Sequence, residues 1–280
     1  MKPYYDAAGV TLYQGDNRAI LPELPAGGID LVFTSPPYNL GNTTGGACYD
    51  GRKTSAMQHG VGKKLGHYAT AAPVGARGGN GKWQSPALAR GYGEYDDAMP
   101  HEEYVAWQHA TLNALWPLLS RTGAIYYNHK PRILDGRLLP AMEYVPPELL
   151  PFVRQEVIWK RSGGINFSPA FYLPTHERII IIARPDFRLR SQGASGIGDV
   201  WEVTQETNSD HPAPFPLGLP LRAIETTTAR TILDPFAGSG TTLLAAKMCG
   251  RRAIGIELSA TYCEMAAQRL GQAVLPLATA

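Results

Sequence analysis

Short apolar runs alternate with amphipathic stretches along most of the chain, and this alternation sets the predicted elements. Val10-Thr11-Leu12-Tyr13-Gln14 reads as a strand that stops at Gly15-Asp16. A helix follows from Arg18 to Leu24, then the strand Ile29-Asp30-Leu31-Val32-Phe33. Periodicity vanishes over 41–93 and returns with a helix from about Pro100 to Leu119. Pro100 suits the first helical position, and Glu102 and Glu103 suit the positive end of the helix dipole. Val105, Leu112, Leu115 and Leu119 form the apolar stripe of this helix. Gly123 to Tyr127 and Glu156 to Trp159 read as strands, and Arg178 to Ala183, apolar on both faces, as a central one. Residues 184–201 are a mixed polar connection. A helix around Pro220 to Thr227 leads to the strand Thr231-Ile232-Leu233, a glycine-rich turn, and a helix from Thr242 to Cys249 closed by Gly250. Strand Ala253 to Glu257 and a helix from Ala260 to Leu270, capped by Ser259, complete the pattern. Such alternation predicts one doubly wound α/β domain over residues 1–280, with a mostly parallel sheet.

Composition narrows the class without naming it. At 44% hydrophobic and 18% charged residues the chain is ordinary for a globular protein. Cys48, Cys249 and Cys263 form neither a disulfide framework nor a metal pair. Met1 to Asp6 has no apolar stretch behind its lysine, and the aliphatic run Ile179 to Ala183 is too short to span a bilayer, so a cytoplasmic location is expected. The net charge of +2 is uninformative until it is located. Between Gly41 and Gly93, seven lysines and arginines face Asp50 alone, which gives this Gly-rich segment +6 and leaves the rest at −4. A basic insertion on a mildly acidic body suits either a phosphate-contacting loop or a solvated insertion with no partner.

Two short strings carry the chemistry. Asp234-Pro235-Phe236-Ala237-Gly238-Ser239-Gly240-Thr241-Thr242 joins an apolar strand to a helix, where open α/β sheets bind ligands. Glycines there let the backbone approach a ligand, and Glu257, ending the next strand, is placed to accept hydrogen bonds from two ribose hydroxyls. Leu243 stands where a dinucleotide fingerprint needs its third glycine, and Gly-Thr-Thr lacks the lysine of a phosphate-binding loop. A nucleoside cofactor without phosphate fits better. The second string, Thr34-Ser35-Pro36-Pro37-Tyr38-Asn39, directly follows the strand that ends at Phe33.

Together these strings resemble the DNA methyltransferases that act on amino groups of cytosine or adenine. The order, Ser35-Pro36-Pro37-Tyr38 before the glycine turn, is similar to the circularly permuted beta group of that family. The resemblance runs from about Val10 to Leu270 and implies a Rossmann-like fold with S-adenosyl-L-methionine as cofactor. It places Asp234 near the methionine portion, and Pro235, Phe236, Ala237, Gly238, Ser239, Gly240 and Thr241 around the cofactor. Phe215, in His211-Pro212-Ala213-Pro214-Phe215-Pro216, would close over its methionine end. Asp16 would contact the adenine, hold a nearby loop, or act as a plain turn residue. Ser35 Oγ and the Pro36 carbonyl would accept hydrogen bonds from the base amine, the two prolines would stiffen the turn, and Tyr38 would stack on a base flipped out of the duplex. Serine at 35 points to cytosine N4, with adenine N6 as the alternative. The implied partner is double-stranded DNA, and the family also allows for a restriction endonuclease and a homodimer. Segments 41–93 and 184–201 are the expected readers of target sequence.

Other candidates are weaker. His176-Glu177 lacks the second histidine of a zinc helix, since Ile180 occupies its place. Trp159, Phe167 and Phe171 are candidates for the base pocket, with buried core the better reading of Trp159, and Lys160-Arg161 is a candidate phosphate contact. No cysteine adjoins a proline, which argues against covalent attack on a ring carbon. RNA and protein amide methyltransferases share the Pro-Pro-Tyr turn, but most carry asparagine first and the cofactor turn earlier. A subunit that has lost catalysis is the remaining rival, and both complete strings argue against it.

Overall fold

The computed structural model describes residues 1–39, 99–134, 137–161, 172, 174–204 and 215–272. The basic segment 41–93, the His211 to Pro214 stretch, Phe167 and Phe171 lie outside them. In the first half of the chain, β1 (Tyr5–Ala7), β2 (Val10–Gln14), α1 (Asn17–Ile20) and β3 (Ile29–Thr34) precede α2 (His101–Leu115) and β4 (Leu119–His129). A small hairpin, β5 (Arg132–Leu134) and β6 (Arg137–Leu139), leads to β7 (Val153–Lys160), β8 (His176–Ala183), α3 (Gln192–Ser195) and β9 (Val200–Glu202). The last part comprises α4 (Gly218–Glu225), β10 (Thr231–Asp234), α5 (Thr241–Met248), β11 (Arg252–Glu257) and α6 (Ala260–Gly271).

Among the described residues one sheet holds nine strands in the order β1-β2-β11-β10-β3-β4-β8-β7-β9. The five from β2 to β4 are mutually parallel, so their C-terminal ends share one edge. The late strands β10 and β11 are inserted between the early strands β2 and β3. Permuted motif order thereby becomes spatial adjacency, with Thr34 Oγ1 donating to Asp234 Oδ1 at 2.7 Å across 200 positions of sequence. Strand β8 is antiparallel to both β4 and β7. It therefore presents its first residues at the edge where the parallel strands present their last.

Alternation along the strands builds two cores. Leu31, Phe33, Ile179 and Ile181 face one side, against Ala223 of α4, Leu243 of α5 and Ala266 of α6. Val32, Ile125, Ile180 and Ile182 face the other, against Tyr104, Leu112 and Leu115 of α2. This is the three-layer α/β arrangement expected from the sequence. Among the described residues no helix is long and apolar enough to cross a membrane.

Several expected boundaries move, each for a local reason. The helix predicted from Arg18 to Leu24 ends at Ile20 and continues as a 3₁₀ turn over Leu21–Glu23, because Pro22 has no amide to donate. Pro117 likewise ends α2 at Leu115, four residues early, and Leu119 opens β4 instead of closing a helix. In α2 the buried positions are Tyr104, Gln108, Thr111, Leu112 and Leu115, with Val105 only half-buried. Ser259 occupies the N-cap of α6 but makes no capping hydrogen bond through its side chain; Glu257 Oε1 accepts from the Ser259 amide instead. The connection 184–201 contains α3 and ends in β9, whose Trp201 is buried. Trp159 is core, as expected, with Nε1 donating to the Val203 carbonyl.

Gly240 leaves no room for a side chain. Its φ is +80°, and a Cβ there would lie 2.9 Å from Ala266 Cβ on α6. Gly240→Ala is expected to cost about 2–4 kcal/mol, from the left-handed backbone plus overpacking. Equilibrium denaturation in urea checks this.

Candidate active site

A cavity of about 280 Å³ opens at the C-terminal edge of the parallel strands, between the ends of β2, β11, β10 and β3. Of the residues predicted from sequence, Asp16, Ser35, Pro36, Pro37, Tyr38, Phe215, Pro235, Phe236, Ala237, Gly238, Ser239, Thr241 and Glu257 all line it. Asp234 and Gly240 do not: Asp234 is fully buried beneath the turn, and Gly240 faces α6.

The glycine-turn half of the cavity is braced from three sides. Gly238 N donates to Glu257 Oε2 and Ser259 N to Glu257 Oε1, both at 2.8 Å. Each carboxylate oxygen has a further lone pair, which suits a vicinal diol. Arg269 of α6 donates to the Ser239 carbonyl at 2.8 Å and contacts the Ser239 and Thr241 hydroxyls, so those side chains hold the turn in shape. Asn17 Nδ2 reaches the Pro235 carbonyl at 3.2 Å and ties α1 to the same turn. Asp16 caps α1 by accepting from Arg18 N, and its carboxylate, held below the usual range by the Arg18 guanidinium, sits on the cavity wall. Leu243 packs directly against Gly255 of β11, where a Cβ would approach Leu243 Cδ1 to 2.6 Å. Close packing of helix on strand thus uses a glycine on the strand, with none needed on the helix.

Asp234 is the most costly residue of this half. Its Oδ1 accepts from Thr34 Oγ1 and, at 3.1 Å, from Phe236 N. Among the described residues Oδ2 has no hydrogen-bond partner, although the nearby Thr242 hydroxyl, which donates to the Phe33 carbonyl at 3.3 Å, still offsets part of the cost of burial. Burial raises its pKa to about 6. The folded state therefore keeps a proton that the unfolded chain loses near its ordinary value of 3.8, and stability falls as pH rises through this window. Asp234→Asn is expected to gain on the parent by roughly 1–2 kcal/mol between pH 5 and pH 8. Urea unfolding at the two pH values checks the sign; a difference independent of pH would refute it.

The Ser35 half rests on a different set of partners. Ser35 Oγ lies 2.7 Å from the Tyr38 hydroxyl, which donates to Glu177 Oε2 at 2.7 Å. Tyr38 is 7% exposed and its ring leans on His129, with centroids 4.9 Å apart. His129 is buried and its pKa falls to about 3, so the ring is neutral. The Tyr104 hydroxyl bridges the two halves of this support, 2.8 Å from the Pro37 carbonyl and 2.7 Å from His129 Nε2.

Sequence reasoning missed several residues at the cavity. Trp107 of α2 meets Phe236 edge-on at 5.5 Å and forms an aromatic wall with it. Met99, Asn17 and Tyr262 also line the site. Asn128 and Glu177 lie behind Ser35, at the end of β4 and the start of β8. The sequence carried little signal for Glu177: His176-Glu177-Arg178 forms the polar start of β8, and the His-Glu pair suggested only zinc chemistry, whereas both residues sit on a strand. Among the described residues no cluster could hold a metal ion.

Comparisons with known proteins bear on the fold and the family. The type II methyltransferase M.ScaI of Streptomyces caespitosus is 26% identical over 96% of this chain and 84% of its own length. M.BglII of Bacillus subtilis, also a type II methyltransferase, is 24% identical over 92% and 68%. Among solved structures, the PvuII cytosine-N4-specific DNA methyltransferase superposes with a TM-score of 0.67 at 18% identity, covering 97% of this chain and 89% of that one. A DNA modification methylase of Thermus thermophilus, TTHA0409, solved with S-adenosyl-L-methionine, gives 0.58 at 22% identity, covering 92% and 91%. A sequence profile described as DNA methylase matches residues 29–268, from the strand before Ser35 to the last helix, and the chain belongs to that family of amino-methylating DNA methyltransferases.

Proposed function

We propose that this chain methylates cytosine N4 at a specific DNA site, on a base flipped out of the duplex. The observation that carries the reading is the shared cavity, lined by Ser35 after β3, by the glycine turn after β10 and by Glu257 at the end of β11. S-adenosyl-L-methionine is the cofactor; when bound, it supplies an electrophilic methyl group on sulfur. The residues fit it, because Glu257 offers acceptors for a diol, Phe236 and Trp107 offer flat apolar surface, and the turn has no phosphate-binding lysine.

An exocyclic amine is a poor nucleophile because its lone pair is delocalised into the ring. Ser35 Oγ and the Pro36 carbonyl accept its two hydrogens and draw them out of plane, which restores a directed lone pair on nitrogen. That lone pair would then be available to the methyl group a bound cofactor supplies, and the proton lost from nitrogen would leave to water. Prolines 36 and 37 keep the turn rigid and remove amide donors that would compete for the same acceptors. Segments 41–93 and 184–201 read the target sequence, with the basic charge of the first on the phosphates. A restriction endonuclease and a second copy of the chain are candidate partners.

Mass spectrometry of nucleosides from DNA incubated with the protein and S-adenosylmethionine tests this directly. N4-methylcytosine is expected. N6-methyladenine would overturn the choice of base, and no methylated nucleoside would overturn the activity.

A further inference from the structure

Behind Ser35 lies a buried hydrogen-bond chain that the methyl-transfer step does not itself use. From Ser35 Oγ it runs 2.7 Å to the Tyr38 hydroxyl and 2.7 Å on to Glu177 Oε2. Asn128 Nδ2 sits 2.8 Å from both Tyr38 Oη and Glu177 Oε2, and 3.2 Å from Ser35 Oγ. Glu177 is 3% exposed, and its other oxygen, Oε1, pairs with Arg161 at 3.1 Å. Burying an acid, an arginine and an amide beside a core of isoleucines is unfavourable, and apolar residues would pack there more stably. Such a cluster calls for a role beyond packing.

Counting protons gives one. A carboxylate only accepts, so the single proton of the Tyr38 hydroxyl goes to Glu177. Towards Ser35 the Tyr38 oxygen is then an acceptor, and Ser35 must be the donor of that bond. Asn128 Nδ2 reinforces the direction, because it donates to the same oxygens. With its proton turned inward, Ser35 Oγ has only lone pairs left for the cavity.

We propose that Glu177, acting through the Tyr38 hydroxyl, is a positioning residue that makes Ser35 a hydrogen-bond acceptor only. A serine with a free rotor could equally donate to a ring carbonyl; this one is set to take an N–H. The inference rests on the reading of Ser35 as the amine acceptor. It also explains the antiparallel β8, which brings Glu177 to the ligand edge from the opposite direction of chain.

Glu177→Gln keeps the shape but leaves one acceptor oxygen where two donor sides need one each. Arg161 retains that oxygen, the amide turns its hydrogens to Tyr38, and the chain reverses, so that the Ser35 proton points at the base. Steady-state methylation of unmethylated genomic DNA with tritiated S-adenosylmethionine should show kcat lowered about tenfold, with KM for the cofactor unchanged. In a Ser35→Ala background the same substitution should have no further effect, because the group it orients is gone. Tyr38→Phe, which removes only the hydroxyl, should repeat this pattern and serves if Glu177→Gln fails to fold. Wild-type kcat in both single variants, or losses that add to that of Ser35→Ala, would overturn the proposal while leaving the amine-methylation reading intact. A wild-type protein that methylates no amine in DNA would sink that reading and this proposal with it.

Discussion

Ser35→Ala is expected to lower kcat for methyl transfer to DNA by about a hundred- to a thousandfold, the loss typical of a preorganised hydrogen-bonding group at a reacting centre. Binding of S-adenosylmethionine should be unchanged, because the side-chain bonds of Ser35 go to Tyr38 and Asn128, and β10 separates its strand from that of Glu257. The fold should hold as well, since the side chain is partly exposed to the cavity and its loss opens no core void. Single-turnover methylation at saturating cofactor, paired with calorimetric titration of the cofactor, separates the two effects. Full turnover in the alanine variant would remove the chemical basis for the assigned reaction. A parallel loss of cofactor binding would mean that position 35 holds the site together structurally.

The second large effect concerns Glu257. Glu257→Ala should weaken S-adenosylmethionine binding by about a hundredfold or more, because hydrogen bonds to a charged acceptor are the strong ones. Part of that loss would be indirect, since the Gly238 and Ser259 amides also lose their acceptor. Glu257→Gln separates the contributions: it keeps the shape and one acceptor, and should fall between parent and alanine variant. Burial raises the Glu257 carboxyl above the usual range, so the acceptor form is lost earlier on acidification than at an exposed glutamate. Cofactor affinity should therefore decline as pH falls towards that raised value, and the decline should vanish in Glu257→Gln. A titration series from pH 8 downwards, with the variant as control, measures both.

Seven strands were legible because each contains a short apolar run; β1, β5, β6 and β9, three residues each with little buried surface, were not. The glycine turn and Ser35-Pro36-Pro37-Tyr38 were legible because few sequences satisfy their chemistry. Helix ends were not: Leu119 falls in line with the apolar stripe of α2, although the helix stops before it at Pro117, and α1 stops before Leu24 at Pro22. Both leucines prove buried, but beyond the helix, as part of a loop and a strand. Asp234 shows a different limit. Its place in the motif suggested ligand contact, whereas its neighbours across the sheet, Thr34 above all, put it under the floor. Glu177 could be seen only once β8 was known to run against β4, because direction of chain leaves no mark on composition.

Interleaved strands carry a consequence for biosynthesis. Because β10 and β11 lie between β2 and β3, the nine strands cannot close into one sheet before residues 231–257 have been made. Until then β2 and β3 lack the neighbours that pair with them in the finished sheet. Activity would switch on late and all at once, and C-terminal truncations should yield aggregating chains with no partial enzyme among them.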